Sequence, residues 1–137
     1  MKMTAIEVNE FIDSTIPQFK ASGCQVVTVS EGAISVRLPY NEQNLRAGGS
    51  ISGPTMMMLA DTAMYALILA NLGPIGLAVT QNLNINFLRK PRHADLVASA
   101  RFLRLGKRSA VIDVLIYAGD DLEPVAQATG TYAIPAA

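Results

Sequence analysis

The sequence predicts an α+β domain: a short N-terminal helix, one long apolar helix, and an antiparallel sheet of about five or six strands wrapped around that helix. Three observations lead there. Pro54 to Leu72 is apolar nearly all round and ends at Gly73-Pro74. From Leu77 to Ile134 the chain alternates with period two between short polar turns. The 137 residues make one domain's worth of chain, expected to span residues 1–137.

The elements follow in order. Thr4 and Glu7 have capping-box spacing, Val8, Phe11 and Ile12 share a face, and Pro17 bounds the first helix. Val26–Ser30 and Ala33–Leu38 alternate around Glu31-Gly32, a two-residue hairpin turn. Pro39 to Gly53 is a polar, glycine-rich loop without apolar periodicity. Gly53 or Ser52 caps the long helix, about 54–72, with Pro54 at or near its first position. Its length approaches that of a membrane span, but Asp61 interrupts it and no basic or aromatic anchors flank it, so a core helix fits better. In Leu77–Leu88 the residues Val79, Leu83, Ile85 and Phe87 fall on one face, and Thr80, Asn82, Asn84 and Asn86 on the other. Leu96–Leu105, Ser109–Tyr117 and Val125–Ile134 complete the sheet through short meander turns.

Composition narrows the functional classes. Hydrophobic residues are 50% and charged residues 16%, which excludes a disordered chain. Eleven basic residues balance eleven acidic ones, which argues against a dedicated nucleic-acid or membrane binder. So few charges imply that another subunit covers part of the apolar surface. One cysteine and one histidine cannot build a Cys/His zinc site, and neither metal nor redox cofactor is implied. Cys24, before an alternating run, reads as a half-buried strand thiol. The residues after Met1 contain no apolar signal region, so a cytoplasmic location is expected.

Asp61 does not match its surroundings. Its helical neighbours Met57, Met58, Met64 and Tyr65 offer no cation. A buried, uncompensated carboxylate is costly, so Asp61→Asn would be expected to stabilise the fold by ~1 kcal/mol near neutral pH. The functional reading is a general base or nucleophile at a cleft; the structural one is a carboxylate at a wet seam or bonded to backbone amides. The run Gly48-Gly49-Ser50-Ile51-Ser52-Gly53-Pro54 lets backbone approach a ligand at a helix N-terminus, a setting for an oxyanion. Thr80 could orient a water. The asparagines read first as a solvated face or subunit seam, with Asn82 a candidate substrate contact. Arg89, Lys90 and Arg92, with Arg104, Lys107 and Arg108 at the next turn, could meet a polyphosphate. His93 reads as an exposed loop residue.

Residues 44–134, about two-thirds of the chain, resemble the hotdog-fold acyl-CoA thioesterases of the phenylacetate-pathway (PaaI-like) type. The likeness lies in Leu59-Ala60-Asp61-Thr62-Ala63, in the strand from Val79 to Arg89 followed by a proline, and in Val125-Ala126-Gln127-Ala128-Thr129-Gly130-Thr131. The resemblance implies that Asp61 is the catalytic carboxylate, that the Gly53 N–H polarises the thioester carbonyl, and that Thr80 helps to hold the attacking water. It also implies a site shared between subunits, with Asp61 facing the partner's Gly53, in what is commonly a dimer of dimers. Two positions depart from the pattern: the family's histidine falls on Ser52 and its asparagine on Arg46. Arg46 and Ser52 are therefore candidate substrate contacts. The expected activity is hydrolysis of an acyl-CoA or similar thioester; the alternative is a non-hydrolytic hotdog protein that binds an acyl or acyl-CoA ligand.

Overall fold

The computed structural model describes residues 2–74 and 78–135. The expected strand start at Leu77 lies outside them. Helix α1 spans Ala5–Thr15, and both halves of the Thr4/Glu7 capping box are formed. Pro17 does more than end it. Pro17 occupies the first turn of a second short helix, α2 (Pro17–Ser22), where its missing N–H costs nothing. The left-handed Gly23 (φ 78°) closes that helix. Strands β1 (Gln25–Ser30) and β2 (Ala33–Leu38) form the expected hairpin, with Gly32 at φ 75° in its turn. A single 3-10 turn, Glu42–Asn44, leads into the glycine-rich loop.

Helix α3 spans Gly53–Leu72, followed by β3 (Val79–Phe87), β4 (Leu96–Leu105), β5 (Ser109–Ala118) and β6 (Ala126–Ala133). The six strands form one antiparallel sheet in the order β1-β2-β4-β5-β6-β3, with β1 and β3 at its edges. Helix α3 is long and apolar enough to cross a membrane, yet Leu59, Ala63, Leu67 and Ile68 are wholly buried against the sheet. It is the core of the domain. Small residues on the facing strands, Ala98, Ala100, Ala126, Ala128 and Gly130, let it approach closely. A Cβ on Gly130 would overlap Met64 Sδ and lie 2.8 Å from its Cε. Helix α1 covers the open side at β1, where both polar ends of the Asn9 amide bond the Val26 backbone.

One departure from simple alternation bears on the site. The β3–β6 register passes from Thr80↔Tyr132 to Asn82↔Thr131, so Gln81 is an extra residue, a β-bulge. The bulge turns Thr80 to the helix side of the sheet, together with Leu83, Ile85 and Phe87. Asn82, Asn84 and Asn86 stay on the outer face beside Thr131, Thr129 and Gln127. The expected grouping of Thr80 with the asparagines is thereby corrected: an uninterrupted period of two would have pointed Thr80 away from Asp61.

Candidate functional site

The N-terminus of α3 is built by a tight loop. Leu45 and Ile51 form an isolated bridge, and the Arg46 N–H donates to the Ser50 carbonyl at 2.8 Å. Gly48 and Gly49, at φ 95° and 83°, supply left-handed backbone that other residues rarely adopt. His93, an exposed loop residue as expected, stacks on Tyr40 with ring centroids 5.3 Å apart and bonds the Gly49 carbonyl. Ser52 is the N-cap: its Oγ accepts the Thr55 N–H at 3.2 Å and is hydrogen-bonded to Thr55 Oγ1 at 2.7 Å. Its carbonyl takes the Met56 N–H. Pro54 has no N–H to offer. The Gly53 N–H, at the positive end of the helix, makes no hydrogen bond among the described residues.

A cleft of about 750 Å³ opens in front of that N–H, lined by Arg46, Ser52, Gly53, Phe87, Arg89 and Lys90. Phe87 lies over Gly53, where an added Cβ would come within 3.1 Å of its ring. Arg89 is paired with Glu123 at 2.6 Å, and Arg92 with Asp120 and Asp121 at 3.2 and 3.1 Å. Among the described residues Arg46 and Lys90 pair with no carboxylate. Lys107 and Arg108 sit elsewhere, in the β4–β5 turn. The ten-residue strand β4 separates that turn from Arg89 and Arg92 by roughly 30 Å.

Asp61 lies at that second end of the sheet, in a separate cleft of about 1000 Å³ between α3 and the N-terminal helices. It is half-buried and it has partners. Its Oδ1 accepts the Thr80 hydroxyl at 2.7 Å and the Tyr132 hydroxyl at 2.6 Å. These two hydroxyls, rather than backbone amides, compensate the carboxylate. Tyr132, from β6, was not singled out as a site residue from the sequence. The readable signal was an inward-facing tyrosine in the row Ala126, Ala128, Gly130, Tyr132, since a buried phenol needs a hydrogen-bond partner. Burial first, and then the charge and hydrogen bond of Asp61, push the Tyr132 phenol far above the usual tyrosine range, so it stays a neutral donor. Burial also raises Tyr65, which stacks on Tyr132 at 6.5 Å.

Asp61 and Gly53 of one chain do not meet. Eight helical steps separate them, about 12 Å along the axis, and each faces its own cleft. Thr80 joins Asp61, while Arg46, Ser52, Arg89 and Lys90 join Gly53. Asn82 faces away from both. Cys24 is buried at 6% exposure, and burial raises its thiol pKa, so it is not a poised nucleophile. Among the described residues no cluster of His, Cys, Asp or Glu could hold a metal.

Residues 48–125 match the thioesterase superfamily. A candidate esterase of Thermoplasma volcanium is 31% identical over 104 residues, covering 76% of this chain and 77% of its own. Among solved structures, a candidate thioesterase from Silicibacter sp. TM1040 superposes with a TM-score of 0.89 at 39% identity, over 97% of this chain and 92% of its own. The E. coli PaaI protein from the phenylacetic acid degradation operon superposes with a TM-score of 0.83 at 25% identity, over 96% of this chain and 93% of its own.

Proposed function

The chain belongs to the thioesterase superfamily, and from that premise we propose that it hydrolyses an acyl-CoA or similar acyl thioester at a site shared by two copies. The observation that carries this reading is Asp61: a carboxylate inside an apolar helix, bound through one oxygen by two hydroxyls and open on a cleft. Asp61 takes a proton from water held with the help of Thr80. The water oxygen bonds to the thioester carbon, and the carbonyl oxygen becomes an oxyanion facing the partner's Gly53 N–H. Collapse breaks the C–S bond, and the departing thiolate receives the proton from Asp61. Direct attack by Asp61, through an anhydride that water then cleaves, uses the same groups.

Edge geometry supports the sharing. Strand β3 is a nine-residue edge, with Val79, Phe87 and the neighbouring Leu88 exposed, and an unpaired edge of that length favours addition of a second strand. Two-fold antiparallel pairing of β3 with its copy around Leu83 sets Asn82 opposite the partner's Asn84 and, past the extra Gln81, Thr80 opposite the partner's Ile85, two residues from the partner's Phe87. Because Phe87 lies over Gly53, the partner's Gly53 then arrives beside Asp61. The same operation brings Lys107 and Arg108 of one copy to the end where the partner's Arg46, Arg89, Lys90 and Arg92 lie. In this reading those basic residues meet the phosphates of coenzyme A, and the protein works in the cytoplasm as a homodimer or homotetramer. Affinity for an acyl-CoA should then fall several-fold between low and moderate salt, while a short thioester without the nucleotide responds little. KM measured for both across a salt series checks this, and equal responses would remove the nucleotide from the proposal.

One observation favours a second reading, an acyl-binding hotdog protein without hydrolysis. Ser52 stands where the family's histidine falls, and its hydroxyl is engaged by Thr55. Release of free thiol from a panel of aliphatic and aromatic acyl thioesters, followed with a thiol-reactive dye, separates the two. Turnover abolished by Asp61→Asn supports the hydrolase; tight binding without thiol release supports the binder.

A further inference from the structure

We propose that Tyr132 is a positioning residue for Asp61: with Thr80 it ties down Oδ1 and thereby leaves Oδ2 as the atom that meets the water proton or the thioester carbon. This rests on the hydrolase reading of the same site and adds a residue and an atomic assignment to it. Both recorded side-chain bonds to the carboxylate end on Oδ1, at 2.6 Å from Tyr132 and 2.7 Å from Thr80. Among the described residues Oδ2 accepts none.

The two donors are not equivalent. A carboxylate turns easily about its last side-chain bond, so one hydrogen bond leaves it free to swing. Thr80 sits on the exposed edge strand and carries a short side chain. Tyr132 is 3% exposed, stacks on Tyr65 and rises from an interior strand, so its hydroxyl is a fixed point in the fold. That hydroxyl also lies 3.1 Å from the Asp61 backbone carbonyl, which holds it over the same turn of helix. The strongly raised phenol pKa keeps the proton on Tyr132, so it orients the carboxylate without taking the catalytic proton from it.

The titratable groups facing Asp61 are Tyr132 from β6 and Tyr65 from α3, and the residues lining the cleft include no Lys, Arg or His. Among the described residues two hydroxyl donors, and no cation, hold the carboxylate. Removing the Tyr132 hydroxyl leaves Thr80 as the one side-chain donor to Oδ1, and the carboxylate is then free to turn.

The test combines kinetics with a measurement that needs no turnover. With a short acyl thioester, Tyr132→Phe should lower kcat roughly tenfold with KM within about twofold. In an Asp61→Asn background the same change should cost nothing further, because the group it positions is gone. The Asp61 13Cγ resonance should move in Tyr132→Phe, because the carboxylate loses one of its two hydroxyl donors. An unmoved resonance, or an equal loss of rate with and without Asp61, would overturn the assignment and leave the hydrolase reading standing. Absence of wild-type turnover would instead sink the hydrolase reading, while the resonance still decides whether Tyr132 holds the carboxylate. If Tyr132→Phe does not fold, 3-fluorotyrosine at position 132 keeps the shape and strengthens the donor. The Asp61 13Cγ resonance should then move, and an unmoved one overturns the proposal.

Discussion

Asp61→Asn should lower turnover by ~10²-fold or more while binding of the thioester survives, because an amide can neither accept the water proton nor attack the carbonyl. The fold should persist. The amide oxygen can still accept the Thr80 and Tyr132 hydroxyls, and the amide nitrogen would occupy the place of Oδ2 on the cleft side. The stabilisation expected from the sequence does not follow. That expectation assumed a charge without partners, and the structure supplies two donors. Hydrogen bonds to a charged acceptor are worth about 1.5–3 kcal/mol and neutral ones about 0.5–1.5, so over the two donors the substitution should cost ~2 kcal/mol. Steady-state kinetics with thermal unfolding of both proteins decides the matter. Full turnover in the variant would place the chemistry elsewhere. Unfolding of the variant would make Asp61 a structural residue and favour the binding protein.

The parts legible in the sequence were those written in local chemistry. The Thr4/Glu7 capping box, the Gly32 hairpin and helix α3 between Ser52 and Gly73 stand where spacing and turn residues put them. Strand ends agree within about two residues, the ordinary latitude of such boundaries. The misses have physical causes. Pro17 looked like a stop, yet a proline is equally at home in the first turn of a new helix. Gln81 interrupts the apolar face of β3, and strict alternation cannot show that it is the bulge that turns Thr80 toward Asp61. Tyr132 lies 71 residues from Asp61, so no local pattern links them, and only the packing of α3 against β6 makes them neighbours. The division of the basic residues between the two ends of the sheet likewise depends on strand order.

Mixing two inactive variants should restore activity, and this tests the shared site most directly. Gly53→Pro removes the N–H proposed to meet the oxyanion. Proline suits the first position of a helix, and Ser52 before it is already extended at ψ 151°. The ring presses on Phe87, which is half exposed and able to yield. Gly53→Ala meets the same ring but keeps the N–H, and it serves as the control. Alone, Gly53→Pro should lower turnover by roughly 10²-fold, the scale of losing one oxyanion donor. In a dimer of Gly53→Pro with Asp61→Asn, one site carries both defects and the other carries neither. Random exchange makes half the dimers mixed, each with one intact site of two, so about a quarter of wild-type activity should return. Recovery should require conditions under which subunits exchange, with light scattering reporting the dimer. Wild-type protein found monomeric at micromolar concentration, or a mixture as inactive as its components after exchange, would show that Asp61 and Gly53 do not act across an interface.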